Sequence, residues 1–387
     1  MKKFILFVII TIVLFGCAEK PAQVKVFSSI IQLQKKYAPD KRVAVFTVKA
    51  YEQGDKIVAV GEVEQKEAKQ EVLESLAVEQ KQIIDSIVVL PDETLGEKRW
   101  GIITVSVANM RSERGEDAEL SSQVLLGTIV KILKRKGGWI YVQSPDKYLG
   151  WADPDQMIIV PETKAKDWND VKKLFVTNYF GFVLQNPSSQ AFPVCDITGG
   201  ALLANLGREG DWMRVGLADG RSGYVLRSSV IDYELWGKTL TPVAEKIEQT
   251  SKYLLGVPYL WGGTSPKGVD CSGFTKTVFL LNGQMLHRDA NQQAEQGDPI
   301  EPGKDFENLK KGDLLFYGRK RTEEKSERIV HVGIYLGNRE YIHSSGKVRI
   351  NSFDPTSPIY DEANLRRFVR ARRVIASRPQ VAEIKTQ

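Results

Sequence analysis

All three histidines of the 387-residue chain, His287, His331 and His343, fall in its last third, and Cys271 stands among them. Cys271 follows Asp270 and precedes the apolar run Phe274 to Leu281. That order predicts a helix opening at the thiol, where the helix dipole and unpaired backbone N–H groups favour the reactive thiolate. His331 opens a predicted strand, and His343 stands late in the next, across a Gly337-Asn338 turn. Adjacent antiparallel strands can set two such residues side by side. His331 could then take the thiol proton while His343 fixes its tautomer, the nucleophile–base–orienter arrangement of cysteine hydrolases. The bland alternative is a buried structural thiol with hydrogen-bonded histidines. Zinc is a third, but Cys271, His331 and His343 lack the close-paired spacing of zinc motifs, so no metal and no cofactor is expected.

The elements that must position these residues begin near Thr241. Val243 to Leu255 has a helical stripe of Val243, Ile247, Tyr253 and Leu254. Strands follow at Asp313 to Tyr317, His331 to Leu336 and Glu340 to His343, with Arg319 to Arg328 as a solvated loop. Helices followed by an antiparallel sheet indicate an α+β domain, set at residues 240–376, with 377–387 a polar tail. The basic stretch Arg366 to Arg373 alternates like a strand with a solvated face. The net charge of +6 is modest, and no nucleic-acid motif accompanies it, so no nucleic-acid partner is expected.

Upstream, two stretches look alike. Gly127 to Leu133, Gly137-Gly138-Trp139 to Val142 and Gly150-Trp151-Ala152 are matched by Ala201 to Leu206, Gly210-Asp211-Trp212 to Val215 and Gly223-Tyr224-Val225. A strand, a Gly-X-Trp turn into an alternating strand and a final Gly-aromatic predict two small β-barrels, residues 101–165 and 170–236, with Trp139 and Trp212 as core aromatics. Residues 18–100 read as a small α/β domain. Its strands are Arg42–Val48 and Lys56–Val63 around a Gln53-Gly54-Asp55 turn, then a helix over Glu67–Gln82 and a strand over Ile84–Leu90. Nothing in that domain carries chemistry.

At the N-terminus, Lys2-Lys3 precedes the apolar run Phe4 to Phe15, which falls short of the ~20 residues that span a bilayer. The run ends in Leu14-Phe15-Gly16-Cys17, which resembles a bacterial lipobox. The resemblance implies a lipoprotein signal over residues 1–17, with Cys17 lipidated and the mature chain anchored to a membrane of the cell envelope. Ala18 in place of Asp favours the outer membrane in a Gram-negative host. With Cys17 so used, Cys195 reads as a small buried hydrophobe, and no disulfide framework is expected.

Five further blocks stand in order. They are Tyr259-Leu260-Trp261-Gly262-Gly263, Asp270-Cys271-Ser272-Gly273-Phe274, Arg288-Asp289-Ala290 with Gln293, Lys311-Gly312-Asp313 to Phe316, and His331 to Gly337. Together they resemble the NlpC-type papain-like cell-wall cysteine peptidases. The resemblance implies Cys271 as nucleophile, His331 as base, His343 as third polar residue and Tyr259 as a site-wall group. His287 matches no catalytic position. The β-repeats resemble tandem bacterial SH3-like domains. The combination is similar to γ-D-glutamyl-L-diamino-acid endopeptidases of the dipeptidyl-peptidase VI type, which act on peptidoglycan stem peptides with a free N-terminal L-alanine. By that resemblance Glu113 and Tyr148 read the substrate amine, a carboxylate and an oriented phenol being suitable partners for an ammonium. Trp261, Asp270 and Ser272 contact substrate, and Ala290 stands where some relatives carry a serine. The expected partners are peptidoglycan-derived peptides, and the expected state is a monomer. An endopeptidase acting on intact wall and a non-catalytic wall-binding lipoprotein are the competing readings.

Overall fold

The structure, a computed structural model, describes residues 27–236 and 242–375. The signal segment 1–17 with Cys17 and the tail 377–387 lie outside the described residues. The chain divides into two compact units. Among the described residues, one comprises those up to Pro39 with Val45–Val89, the other Asp40–Ala44 with those from Leu90 onward.

In the first unit α1 (Ser28–Tyr37) and α2 (Lys66–Ala77) accompany a sheet of β1 (Lys49–Gln53), β2 (Lys56–Val63) and β3 (Gln82–Val89). Gly54, at φ +62°, closes the β1–β2 hairpin. α2 is the crossover to β3, which runs parallel to β2, and its Ala68, Val72 and Leu76 form a buried stripe. The strand expected over Arg42–Val48 begins only at Lys49. Asp40 is the reason. Its carboxylate accepts the Arg42 backbone N–H at 2.9 Å and its carbonyl those of Val43 and Ala44 at 3.2 Å, so residues 40–44 turn. A turn capped by a side chain competes with strand pairing even where the valines that follow favour a strand.

The second unit opens with β4 (Trp100–Ile103), β5 (Val107–Arg111), β6 (Leu120–Leu125), β7 (Ile129–Lys136), β8 (Trp139–Gln143), β9 (Leu149–Ala152) and β10 (Met157–Val160). They form one antiparallel sheet in the order β10-β4-β7-β8-β9-β5-β6. Met157 and Val124, on its two edge strands, share one core with Ile132, Ile140 and Val142, so the sheet closes over itself as a small barrel. After α3 (Glu162–Asp170) come β11 (Lys173–Val176), β12 (Phe180–Leu184), β13 (Pro193–Thr198), β14 (Leu202–Glu209), β15 (Trp212–Gly216), β16 (Ser222–Leu226) and β17 (Val230–Asp232). Their order is β13-β12-β16-β15-β14-β11-β17, the first barrel's order read from the other edge. Cys195 is half-buried in β13 and packs against this second core. Trp139 and Trp212 are not the core aromatics expected, being only half-buried. Strand alternation explains this, since the residues after them, Ile140 and Met213, pack into the cores instead.

The last part holds α4 (Ala244–Tyr253), the hairpin β18 (Thr264–Ser265) and β19 (Gly268–Val269), α5 (Cys271–Leu281) and α6 (Ala290–Gln293). Then come β20 (Asp298–Ile300), β21 (Leu314–Arg319), β22 (Arg328–Gly337), β23 (Glu340–Ser345), β24 (Lys347–Ser352), α7 (Glu362–Arg367) and β25 (Phe368–Arg373). These six strands form an antiparallel sheet in the order β20-β25-β21-β22-β23-β24. Phe274, Val278 and Phe279 of α5 share the core with Phe316, Val332 and Ile334 of the sheet, which fixes the helix over β22. The basic stretch is not a solvated strand face. Arg366 and Arg367 end α7, and β25 runs inside the sheet between β20 and β21. Its arginines are engaged, Arg373 by Asp313 (2.7 Å), Arg370 by Glu327 (2.6 Å) and Arg372 by the Ala294 carbonyl (2.6 Å).

Candidate active site

Asp270 is the N-cap of α5 and its carboxylate is shared among several donors. Oδ1 accepts the Gly273 N–H at 2.7 Å, and Oδ2 accepts the Gly262 N–H at 3.0 Å. The buried Arg288 guanidinium grips both oxygens and also donates to Ser272 Oγ at 3.1 Å. Burial opposes the charge of Arg288, but Asp270 outweighs it and keeps the guanidinium charged. A buried pair of this kind is weak evidence of stability but strong evidence of a fixed geometry, because losing either partner strands the other. Gly273 is required here, since a Cβ would stand 1.9 Å from the Gly263 carbonyl oxygen. These contacts seat Cys271 at the first position of α5, nearly closed to solvent.

His331 and His343 meet across β22 and β23, with Nε2 and Nδ1 at 2.7 Å. Neither the sequence pattern nor the resemblance pointed to the next member, Asn351 on β24. Its Nδ2 donates to the Ile359 carbonyl (3.1 Å), which leaves Oδ1 to accept from His343 Nε2 (2.9 Å). His343 Nδ1 is therefore bare and accepts from His331 Nε2. His331 is left with a bare Nδ1, the lone pair a base requires. The Cys271 thiol lies within hydrogen-bond reach of the Val332 backbone N–H, one residue past His331.

The helix N-terminus does not make Cys271 a resting thiolate. Burial pushes the thiol up to about 12, and the neighbouring charge of Asp270 adds to this against the N–H groups of Val332 and Ser272. Burial also pushes His331 down to about 3 and His343 down to about 4. Burial thus disfavours the charged form of each of the three groups in the free site. Tyr259 keeps its proton, because burial and the nearby Cys271 and Asp270 push it well above the ordinary phenol value.

A cleft of about 700 Å³ opens on Cys271, walled by Tyr259, Trp261, Asp270 and Ser272 from the last part and by Glu119, Ser121 and Tyr148 from the first barrel. Arg42, Asp289 and Asn291 complete one end. Gly262, at φ +80°, would carry a Cβ 2.2 Å from the Leu120 carbonyl oxygen, so the loop of Trp261 lies hard against the barrel. There Trp261 Nε1 donates to Glu119 Oε1 at 2.6 Å. Asp146, in the turn before Tyr148, forms a salt bridge with Lys276 of α5, which ties the Tyr148 loop to the nucleophile's helix. Tyr148 is buried and its hydroxyl donates to Asp289 Oδ2 at 3.1 Å.

Of the residues singled out in the sequence, Cys271, Tyr148, Tyr259, Trp261, Asp270 and Ser272 line one cleft, and His331 and His343 pair on the adjoining sheet, where Val332 shares a core with Cys271. Glu113 does not join them. It is exposed between β5 and β6 and lines no part of the cleft, whereas Glu119, at the other end of the same loop, does. Among the lining carboxylates, Asp270, Asp289 and Glu327 each meet an arginine. Glu119 meets the neutral indole of Trp261 and, among the described residues, no cation. His287 is exposed and stands apart from the histidine pair.

A helix-borne thiol set against an imidazole on an antiparallel sheet is the arrangement of a papain-like cysteine peptidase. Residues 256–373 match the NlpC/P60 family model, and residues 110–157 match the bacterial dipeptidyl-peptidase Sh3 domain. The chain is 31% identical over 269 residues to dipeptidyl-peptidase 6 of Lysinibacillus sphaericus, covering 67% of this chain and 93% of that protein. It is 30% identical to the γ-D-glutamyl-L-lysine dipeptidyl-peptidase of Bacillus cereus, covering 71% and 79% respectively. The crystal structure of an NlpC/P60 family protein from Bacillus cereus superposes with a TM-score of 0.60 at 25% identity, covering 71% of this chain and 99% of that one. The chain belongs to the NlpC/P60 family.

Proposed function

We propose that this protein is a cysteine peptidase that hydrolyses the γ-D-glutamyl–diamino acid bond of peptidoglycan-derived stem peptides bearing a free N-terminal L-alanine. The observation that carries the reading is the His331–His343–Asn351 relay on the sheet against which the helix of Cys271 packs, with Cys271 lining a cleft whose far wall comes from the first barrel. His331 Nδ1 takes the Cys271 proton as Sγ attacks the γ-carbonyl carbon. The tetrahedral adduct collapses to a thioester as the imidazolium gives that proton to the departing amine of the diamino acid. A water, deprotonated in turn by His331, cleaves the thioester and releases the L-alanyl-γ-D-glutamate dipeptide with the thiol restored. His343 and Asn351 hold His331 in the tautomer this needs, and the Tyr259 hydroxyl is a donor for the oxyanion.

Glu119, with no cation partner among the described residues, and the Tyr148 hydroxyl supply the charge and the oriented acceptor for the substrate ammonium. In this reading Glu119 takes the part first expected of Glu113. The names of the relatives, γ-D-glutamyl-L-lysine dipeptidyl-peptidase among them, support the bond class. Incubating the protein with L-Ala-γ-D-Glu-diaminopimelate is the test. Release of the dipeptide by the native chain and none by Cys271→Ala is expected, and no release by either overturns the assignment.

The N-terminal pattern supports a lipid on Cys17, which would hold a monomeric enzyme at the cell envelope. Fatty-acid labelling in the producing cell should be lost in Cys17→Ser, and labelling that persists there excludes the anchor. Light scattering reads the oligomeric state.

A further inference from the structure

Residues 40–44 precede both stretches matched by the family models, yet they reach the cleft. Side chains of Asp40 and Arg42 close a ring of hydrogen bonds with residues 289–292. Arg42 Nε and Nη2 hold the two oxygens of Asp40 at 2.8 and 2.7 Å. Asp40 Oδ2 accepts from Gln292 Nε2 at 2.8 Å, and Gln292 Oε1 accepts the Asp289 backbone N–H at 3.1 Å. Asp289 Oδ2 accepts from Arg42 Nη1 at 2.8 Å, which completes the circuit.

The same residue also reaches the barrel. The Arg42 carbonyl accepts the N–H of Leu149 at 2.8 Å, next to Tyr148, whose hydroxyl donates to Asp289 Oδ2. Arg42 therefore holds Asp289 through its guanidinium and Leu149, the residue beside Tyr148, through its backbone carbonyl. Burial, with the charge of Asp289, keeps the phenol protonated. Its hydrogen is thus spent on Asp289, and its lone pairs remain for a cation.

A lone guanidinium here would repel an ammonium. This one is flanked by two carboxylates, so the cluster Asp40–Arg42–Asp289 keeps one net negative charge. Burial of Asp40 opposes ionisation, but the bonds to Arg42 outweigh it and bring its pKa down to about 2.

We propose that Arg42 is a positioning residue for the free-amine end of the substrate, holding Asp289 and through it the Tyr148 hydroxyl as an oriented acceptor. This rests on the reading of the cleft given above and extends the amine-reading end to a segment far upstream of the barrel. The test compares L-Ala-γ-D-Glu-diaminopimelate with its N-acetyl form, using the full chain. Arg42→Ala should raise KM for the free-amine peptide about ten-fold at nearly constant kcat, and leave the N-acetyl peptide unchanged. Arg42→Lys should recover part of the loss, since an ammonium can meet Asp289 but cannot also fork onto Asp40.

An unchanged KM, or equal damage to both peptides as a merely structural role would give, overturns the proposal. Calorimetric binding of the free-amine peptide to Cys271→Ala, with and without Arg42→Ala, separates this from the reaction itself. Weaker binding on loss of Arg42 upholds the positioning role even if the native chain cleaves neither peptide. Binding indifferent to Arg42 overturns it.

Discussion

The two barrels share one strand order and break register at matching places, near Ile132/Lys134 in β7 and Asn205/Gly207 in β14, yet they do different work. The first sends Glu119 and Tyr148 into the cleft from the loops after β5 and β8, and Ser121 from the start of β6. The second contributes nothing to the cleft lining. It backs the far end of α5, where Trp236 donates to the Leu280 carbonyl at 2.9 Å and packs with Phe175 and Leu281. Gly199 comes so close that a Cβ there would stand 2.7 Å from a methyl of Leu281. Identical topology thus leaves function open. What differs is which loops face the nucleophile's end of α5 and which face its tail.

If that division is right, damage to the two barrels should separate into stability and specificity. The largest effect is expected on the supporting side. Trp236→Ala removes a buried aromatic and its hydrogen bond, and should cost about 3–5 kcal/mol of unfolding free energy. Denaturant titration measures this. Its preference for the free-amine peptide over the N-acetyl peptide should be untouched, and a changed preference would mean that the second barrel reaches the site after all. Next in size is Glu119→Gln, which keeps the acceptor for Trp261 and loses only the charge. KM for the free-amine peptide should rise about ten-fold with Tm unchanged, since a hydrogen bond to a charged group is the interaction removed. An unaltered KM would leave the first barrel as scaffold and dissolve the contrast.

What the sequence could reveal divides along physical lines. Local signals were legible: the Gly-X-Trp turns of both barrels, the helix α2, although it ends at Ala77 and not at Gln82, and the acid–thiol pair that opens α5. Cys271, His331 and His343 could be brought together because a hairpin and a helix start are short-range patterns. Arg42 and Asp289 could not, being 247 positions apart with nothing periodic between them. Asn351 was missed because a polar residue on an edge strand looks like any other solvated one. Glu113 was singled out within a charged loop whose other end, Glu119, lines the cleft, since composition does not say which end of a loop faces it. The direction of the thiol's pKa shift was misread for a related reason. A helix N-terminus is visible in sequence, whereas the burial that overrides it at Cys271 appears only after folding.

The smallest expected effect sharpens the contrast within the barrels' equivalent first strands. β4 begins with Trp100, but β11 begins with Lys173, buried with its ammonium against the carbonyls of Asn169 (2.8 Å) and Val171 (3.1 Å). Burial brings its pKa down to about 8, whereas the unfolded chain should hold that proton to about 10.4. Between these values the unfolded state binds more protons than the folded one, so stability rises with pH across that window. Below it Lys173 is charged in both states and the full cost of burying the charge is felt. Lys173→Met removes the titration while filling the same apolar space. The Tm of the native chain relative to that variant should therefore climb from pH 8 to pH 10 and lie flat between pH 6 and 7. A difference that stays constant up to pH 10 would show that the two carbonyls compensate the buried ammonium fully. In that case the first strands of the two barrels would be equivalent in stability as well as in place.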